Sequence, residues 1–224
     1  MGQELTLIIA DDHPLFRGAM RQALSSFGEA TVIVEAGDFD AARQAAIANP
    51  QADLALLDLA MPGVSGLSGL VAFRAEFVSL PVIVVSASDD PATVRRVLDL
   101  GASGFIPKSS SIEDIRNAVR TVLDGGVWVA PGLELGEAAD ADTDQMIRRL
   151  QTLTPQQSRV LGMLAEGLLN KQIAYELNVS EATIKAHVSA VLQKLGVDSR
   201  TQAVIQLSRI GFGLSGNNAA EQSD

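Results

Sequence analysis

Cysteine is absent from the 224 residues, which rules out a disulfide framework and any thiolate metal site. Histidine occurs only twice, as His13 and His187. With the second so far along the chain, His13 reads as a packing or turn residue rather than a metal ligand. Long apolar runs are missing too: none has the length of a membrane span, and the first residues lack a basic-then-apolar signal segment. The expectation is a soluble cytoplasmic protein with no membrane partner. What is present is enough for a core. Apolar residues make up 47% and charged residues 20%, the balance of a globular chain rather than a disordered one, and the length suits one large domain or two modest ones.

Positive charge is also scarce. A net charge of −10 argues at first against nucleic acid, but its distribution matters more. Residues 1–130 hold 9 Lys+Arg against 16 Asp+Glu, and residues 131–150 hold 2 against 5. Residues 151–214 reverse the sign with 6 against 4, and residues 215–224 add only two acids. The average therefore conceals two electrostatically different halves.

The first 125 residues alternate between short β-like runs (Leu5–Ala10, Thr31–Glu35, Leu54–Asp58, Val82–Ser86 and Gly104–Ile106) and amphipathic stretches at 14–27, 39–48, 66–77, 91–100 and 111–124. Asp90-Pro91 supplies an N-cap before proline at the first helical position, and Ser110 with Glu113 reads as a capping box. Five βα repeats with continuously apolar strands predict an α/β fold, a doubly wound five-stranded parallel sheet with helices on both faces. Residues 1–130 form this domain. Residues 131–150 read as an acidic linker that turns helical near "QMIRRL". Residues 151–214 are helical by pattern, and 215–224 read as a disordered tail.

The stretch "LTLIIADDHPLF" poses the first chemical question, because Asp11 and Asp12 repel one another where a buried strand stops. In an open parallel sheet, ligands bind beyond the carboxyl ends of the strands. Asp11 and Asp12 follow the first strand, Asp58 ends the third, Ser86 ends the fourth and Lys108 follows the fifth. The topology gathers them on one rim. Three converging carboxylates make a hard, oxygen-rich site suited to Mg2+, which makes the Asp pair tolerable. A carboxylate beside Mg2+ can attack a phosphoryl group and become an aspartyl phosphate, while the lysine and the metal offset charge on the transferring group. Singly these residues have plainer readings: Asp11 as a helix cap, Asp58 as a turn residue, Lys108 as a solvated lysine, Phe105 as core. Jointly they are hard to obtain by chance.

The segments "DDHPLF", "LLDLAMPG" and "FIPK" resemble, in order and spacing over residues 5–125, the flavodoxin-like receiver domain of bacterial two-component response regulators. That resemblance implies Asp58 as phosphoacceptor. It also implies Mg2+ held by Asp11, Asp12, Asp58 and the backbone carbonyl of Ala60, with Ser86 and Lys108 contacting the phosphate and Phe105 as a switch aromatic that follows inward.

In the second half, Thr154-Pro155 with Gln157 forms a capping box with proline at the first helical position. Helices follow at 155–165, from Asn170 (read as a cap) to near 177, at 181–194 behind Ser180 as N-cap, and at about 200–210. Two short helices with a tight turn, the second carrying cations, describe a helix-turn-helix within an all-α four-helix domain. On 181–194, Ile184, Val188, Val191 and Leu195 recur at helical spacing and should face the core. Lys185, Ala186 and Ser189 share another face, small and polar enough for a major groove. Together with Thr183 on that helix, and Lys171, His187, Lys194 and Arg200 as backbone contacts, they are the candidates for DNA binding. Each lysine alone is more simply a surface residue.

"NKQIAYELNVSEATIKAHVSAVLQKLGV" resembles the LuxR-type helix-turn-helix, and about residues 5–212 together resemble the NarL/FixJ class of response regulators. The resemblance implies a cognate histidine kinase, double-stranded DNA as partner and a homodimer on phosphorylation. Val204, Leu207 and Ile210 are offered either as part of the dimer interface or as packing inside the unit. Gln156-Gln157 departs from the family's usual Arg-Glu; Gln157 can still close the capping box, but an ion pair there would be lost. Three rival readings stand beside it: a receiver-like protein that acts by protein–protein contact, a metal-dependent phosphatase or other hydrolase on the same sheet, and a DNA-binding protein without phosphate control, against which the intact acidic set argues.

Overall fold

A computed structural model describes residues 4–212 except 26, 28, 29, 63, 65, 134, 136–140 and 211. The expected disordered tail and part of the linker lie outside the described residues. In chain order the elements are β1 (Leu5–Ala10), α1 (Pro14–Leu24), β2 (Thr31–Ala36), α2 (Phe39–Ala48), β3 (Leu54–Asp58), α3 (Leu67–Glu76), β4 (Val82–Ser86) and α4 (Pro91–Asp99). They continue with β5 (Gly104–Pro107), α5 (Ile112–Leu123), β6 (Trp128–Val129), α6 (Ala141–Leu150), α7 (Pro155–Ala165), α8 (Asn170–Glu176), α9 (Glu181–Leu195) and α10 (Arg200–Arg209). By contact the chain divides into two units, residues 1–63 with 77–138, and residues 64–76 with 139–224.

The first unit is built on a parallel sheet in the order β2-β1-β3-β4-β5-β6. Its strands are buried throughout from β3 to β5, as a sheet covered on both faces requires. The period-2 alternation of side chains divides the core. Leu7, Ile9, Leu54, Leu56, Ile83, Val85 and Ile106 cluster with Met20 and Leu24 of α1 and Ile115, Val119 and Val122 of α5. Their neighbours Ile8, Ala55, Leu57, Val84 and Phe105 are equally buried and point the other way, where α2 meets β1 and α4 meets β5.

The sheet has six strands, one more than the five expected. β6 is only two residues long, too short for alternation to register in the sequence. It pairs Trp128 with Gly104 and Val129 with Phe105. Gly104 permits this approach, since a Cβ there would stand 2.9 Å from the Trp128 carbonyl oxygen, inside van der Waals contact.

Helix starts follow their caps. Asp90 accepts from the Thr93 N–H at 3.0 Å with Pro91 in the first turn. The α5 capping box is one residue later than expected. Ser111, not Ser110, accepts from the Asp114 N–H at 3.1 Å, and the Asp114 carboxylate returns to the Ser111 N–H at 3.3 Å. Three serines in a row offered two registers with an acid three residues on. The tie is broken by a turn in which the Ser110 N–H donates to the Pro107 carbonyl at 2.9 Å. Ser111→Ala is accordingly expected to cost about 1 kcal/mol and Ser110→Ala only a few tenths, roughly, as urea unfolding midpoints of the two variants will report.

In the second unit, α3 is buried on every side from Leu67 to Phe73, so it lacks the polar face expected of an amphipathic helix. It packs against α7, where Gly162 lets the helices close: a Cβ there would meet Ser68 at 3.6 Å. The linker turns helical as expected, although from Ala141 rather than near Gln145. Asp142 and Asp144 stand in the first turn of α6 and Arg148 and Arg149 in its last, complementing the helix dipole. Val160 and Leu164 of α7, Ile173 and Ala174 of α8 and Ile184 of α9 form one core. The turn between α8 and α9 rests on Asn178, at φ 52°. Its N–H donates to the Tyr175 carbonyl at 3.1 Å and that of Val179 to Ala174 at 3.0 Å, a Schellman closure with asparagine in the left-handed position. Among the described residues no helix is long and apolar enough to cross a membrane.

Candidate functional site

The rim of the sheet carries the expected acidic set. Asp11 is fully buried just beyond β1, and Asp58 is nearly so at the end of the adjacent β3. The Lys108 ammonium reaches back from the end of β5 to lie 2.8 Å from Asp58 Oδ2 and 2.8 Å from Asp11 Oδ2. Burial alone would lower the Lys108 pKa. The close contacts with Asp11 and Asp58, and their charges, outweigh it and raise the pKa above the ordinary lysine value. The stabilisation from this charge is therefore complete below that value and lost only as pH rises past the raised one.

Asp11, Asp12, His13 and Asp58 offer ligand atoms that all lie within 4.8 Å of one another. Three carboxylates face one ammonium, a surplus of two negative charges that suits a divalent cation. Asp11 Oδ2 and Asp12 Oδ1 are buried and accept no aligned hydrogen bond, although the Lys108 ammonium stands 2.8 Å from the first and the His13 ring 2.6 Å from the second. That leaves lone pairs for such an ion. The donor set fits a hard cation.

The remaining residues fall around this cluster. Ser86 is buried at the end of β4, and its Oγ accepts from the Ser88 N–H at 3.2 Å. The Ala60 N–H donates to Asp58 Oδ1 at 3.1 Å. Phe105 pairs in register with Val84, two residues before Ser86, and is already fully buried. His13 is not packed. Its backbone N–H donates to Asp11 Oδ1 at 2.8 Å, the expected turn role. Its ring is two-thirds exposed, with Nδ1 2.6 Å from Asp12 Oδ1. Arg17 is an addition to the expected set. It donates to the Asp11 backbone carbonyl at 2.6 Å and reaches Glu35 at 3.4 Å, tying the acidic loop to α1 and β2. Its only sequence signal is a cation one turn into the helix after the Asp pair.

The second candidate site is the outer face of α9. Thr183, Lys185, Ala186 and Ser189 are exposed, as is Lys171 on α8, while His187 is half-buried. Ile184, Val191 and Leu195 are buried and Val188 packs against the core, the division of faces expected. Lys185 pairs with Glu181 at 3.0 Å, an exposed contact worth about 0.3–0.5 kcal/mol that a stronger anion can displace. Two expected cations are engaged within the unit. Lys194 donates to the Thr152 carbonyl at 2.7 Å and to Gln157 Oε1 at 2.8 Å. Arg200 donates to the Leu168 carbonyl at 2.7 Å. Gln157 also accepts from the Thr154 N–H at 3.0 Å, so the capping box is kept, and the group facing Lys194 is neutral. Asn170 does not cap α8; Gln172 does, accepting from the Leu169 N–H at 2.7 Å. Of the dimer candidates, Leu207 and Ile210 are buried within the unit and Val204 is half-buried.

Comparison with known proteins agrees with this geometry. Residues 7–120 match the response regulator receiver domain, and residues 151–207 match the bacterial regulatory proteins of the luxR family. The glycerol metabolism activator of Pseudomonas putida is 39% identical over 212 residues, covering 92% of this chain and 96% of that protein. The nitrate/nitrite response regulator protein NarP of Escherichia coli K12 is 39% identical over 204 residues, 89% and 92% of the two chains. The structure of RcsB from Salmonella enterica serovar Typhimurium, bound to a promoter with a phosphomimetic, aligns with TM-score 0.52 at 28% identity over 93% of this chain and all of that one. The chain belongs to the two-component response regulators of the NarL type, which join a receiver domain to a LuxR-family helix-turn-helix domain.

Proposed function

We propose that this protein is a DNA-binding transcriptional regulator controlled by Mg2+-dependent phosphorylation of Asp58, with residues 1–130 receiving the phosphoryl group and 151–214 binding duplex DNA. The observation that carries it is the buried Asp58 carboxylate, 2.8 Å from the Lys108 ammonium and beside Asp11 at the carboxyl edge of the sheet. An oxygen of Asp58 attacks the phosphorus of a histidine kinase's phosphohistidine or of a small acyl phosphate. The phosphorus–nitrogen or phosphorus–oxygen bond breaks, and its electron pair leaves with the donor. Held by Asp11, Asp12, Asp58 and the Ala60 carbonyl, Mg2+ would neutralise charge on the transferring group. Lys108 follows the new negative charge, and Ser86, whose oxygen already accepts from Ser88, turns its hydroxyl hydrogen to a phosphate oxygen. Water later returns the carboxylate and inorganic phosphate, so the only reaction is the protein's own phosphorylation and dephosphorylation.

In the helical domain, α9 enters the major groove with Lys185, Ala186 and Ser189 outward, and a phosphorylated homodimer reads two half-sites. The DNA-bound RcsB relative supports this part of the reading. The test is paired. Wild type and Asp58→Ala are incubated with Mg2+ and acetyl phosphate, then measured by intact mass and duplex-DNA affinity. A phosphate-sized mass gain in wild type alone, with tighter DNA binding, is expected. A mass gain with no DNA affinity at any salt concentration would instead favour regulation by protein–protein contact, and the absence of any mass gain would remove Asp58 as acceptor.

A further inference from the structure

Among the described residues, the ring of His13 is the polar group at the acidic rim that the phosphorylation chemistry leaves without a task. It is held against the cluster rather than in solvent. Nδ1 lies 2.6 Å from Asp12 Oδ1 and 3.4 Å from Asp11 Oδ1, and 3.5 Å from the Lys108 ammonium. Donor atoms sharing an octahedral cation at bonds of about 2.1 Å stand roughly 3 Å apart. The two nitrogen–oxygen separations bracket that value. The ammonium of Lys108, in contact with Asp11, Asp58 and this nitrogen together, marks the cluster as a place where positive charge is already held. Asp11 is fully buried, and its Oδ2 meets the Lys108 ammonium at 2.8 Å without an aligned hydrogen bond, so the oxygen side of the cluster is an environment for positive charge.

We infer that His13 Nδ1 is a fourth side-chain donor to the cation site, so that the site carries one nitrogen among its oxygens and accepts borderline divalent ions such as Co2+ and Zn2+ as well as Mg2+. The inference rests on the cation site proposed above and adds its selectivity. The chemistry is that of ligand type. Carboxylate and carbonyl oxygens suit Mg2+, whereas imidazole nitrogen adds little for Mg2+ and much for the later first-row ions. The site thereby becomes responsive to the identity of the available metal, with Asp11, Asp12 and Asp58 giving the charge and His13 the discrimination. The ring has the freedom to serve, being two-thirds exposed, and the backbone of His13 is separately fixed by its bond to Asp11 Oδ1. Removing the ring therefore leaves the turn intact.

The test uses the full untagged chain and His13→Phe, which keeps a planar ring without the donor. His187 remains in both proteins as an internal control. Affinities for Mg2+ and Co2+ are measured by calorimetry, and Mn2+ serves as the spectroscopic probe, with electron spin-echo envelope modulation reporting any bound 14N. The expected result is nitrogen modulation in wild type that disappears in His13→Phe, a loss of about tenfold or more in Co2+ affinity, and a change in Mg2+ affinity of about twofold or less. The inference is overturned if wild type shows no nitrogen modulation, if the modulation survives in His13→Phe, or if both cations weaken alike. The mass gain with Mg2+ and acetyl phosphate is recorded on the same samples. A mass gain without nitrogen modulation sinks the role of His13 alone. Nitrogen modulation without a mass gain upholds that role and sinks the phosphoacceptor reading.

Discussion

Lys108→Met is expected to slow Mg2+-dependent phosphoryl transfer to Asp58 by about 100-fold or more while making the unphosphorylated protein's stability dependent on Mg2+. Both effects come from one cation with two contacts. The ammonium stands 2.8 Å from Asp58 Oδ2 and from Asp11 Oδ2, and those two carboxylates are almost wholly buried. Removing one partner of a buried ion pair leaves uncompensated charge and typically costs about 3–5 kcal/mol. Here two acids are left facing each other. A divalent cation can replace the lost charge, and at a hundredfold excess over its Kd it returns about 2.7 kcal/mol through linkage. Loss of the ammonium also removes a competitor from the site, so Mg2+ should bind the variant more tightly than wild type. Thermal melts of both proteins with EDTA and with Mg2+ check the first half, and the rate of mass gain from acetyl phosphate checks the second. A variant with wild-type stability in EDTA would show that Lys108 is not engaged with the acids in the resting protein. A variant with wild-type transfer rate would show that its charge does not act on the phosphoryl group.

The rim could be read from sequence because each of its residues sits at the end of a strand that announces itself. Continuous apolar runs mark β1, β3, β4 and β5, and a parallel sheet places the residues just beyond those runs on one edge. The geometry among those residues was not legible in the same way. The short strand β6 carries too few residues for a periodic signal. The choice between Ser110 and Ser111 depends on a turn closed by the Pro107 carbonyl, a backbone contact that local propensity does not encode. The even burial of α3 depends on what covers it, and its sequence, LSGLVAFRAE, looks merely apolar. Phe105 is identifiable by position, whereas its burial reflects the packing of a particular state. The scarcity of histidine gives no sign that the His13 ring lies against Asp12, a placement that depends on how the loop after β1 folds. Arg17 gives little local sign beyond a cation one turn into α1, because its shorter bond is to a backbone carbonyl and its other partner, Glu35, lies on another strand.

Lysines on the helical domain show the same limit, and separating them gives the second large effect. Lys194→Met is expected to destabilise that domain by about 1–3 kcal/mol and to leave the salt dependence of DNA binding unchanged. Lys185→Ala is expected to do the reverse, reducing the slope of log affinity against log salt by about 1 with a stability change within about 0.5 kcal/mol. The two residues lie on the same helix and the sequence offers both as DNA contacts, Lys185 on the groove face and Lys194 to the backbone. Lys194, however, donates to the Thr152 carbonyl and to Gln157 Oε1, fastening the end of α9 to the start of α7, and its removal takes this donor from the Thr152 carbonyl and leaves Gln157 Oε1 with the Thr154 N–H. Lys185 pairs, among the described residues, with Glu181 at 3.0 Å in solvent, a contact that a DNA phosphate can replace. Fluorescence anisotropy of a duplex over a salt series, together with a thermal melt, distinguishes them without knowledge of the operator, because the electrostatic slope does not depend on sequence. Should Lys194→Met lower the slope by one unit without loss of stability, the lysine would be a phosphate contact and its bonds to Thr152 and Gln157 would not hold in solution. Gln157→Glu sharpens the test. A carboxylate at 157 can still cap the Thr154 N–H and turns the neutral bond to Lys194 into a charged one, so the coupling between positions 157 and 194 in a double-mutant cycle should rise while the slope stays fixed.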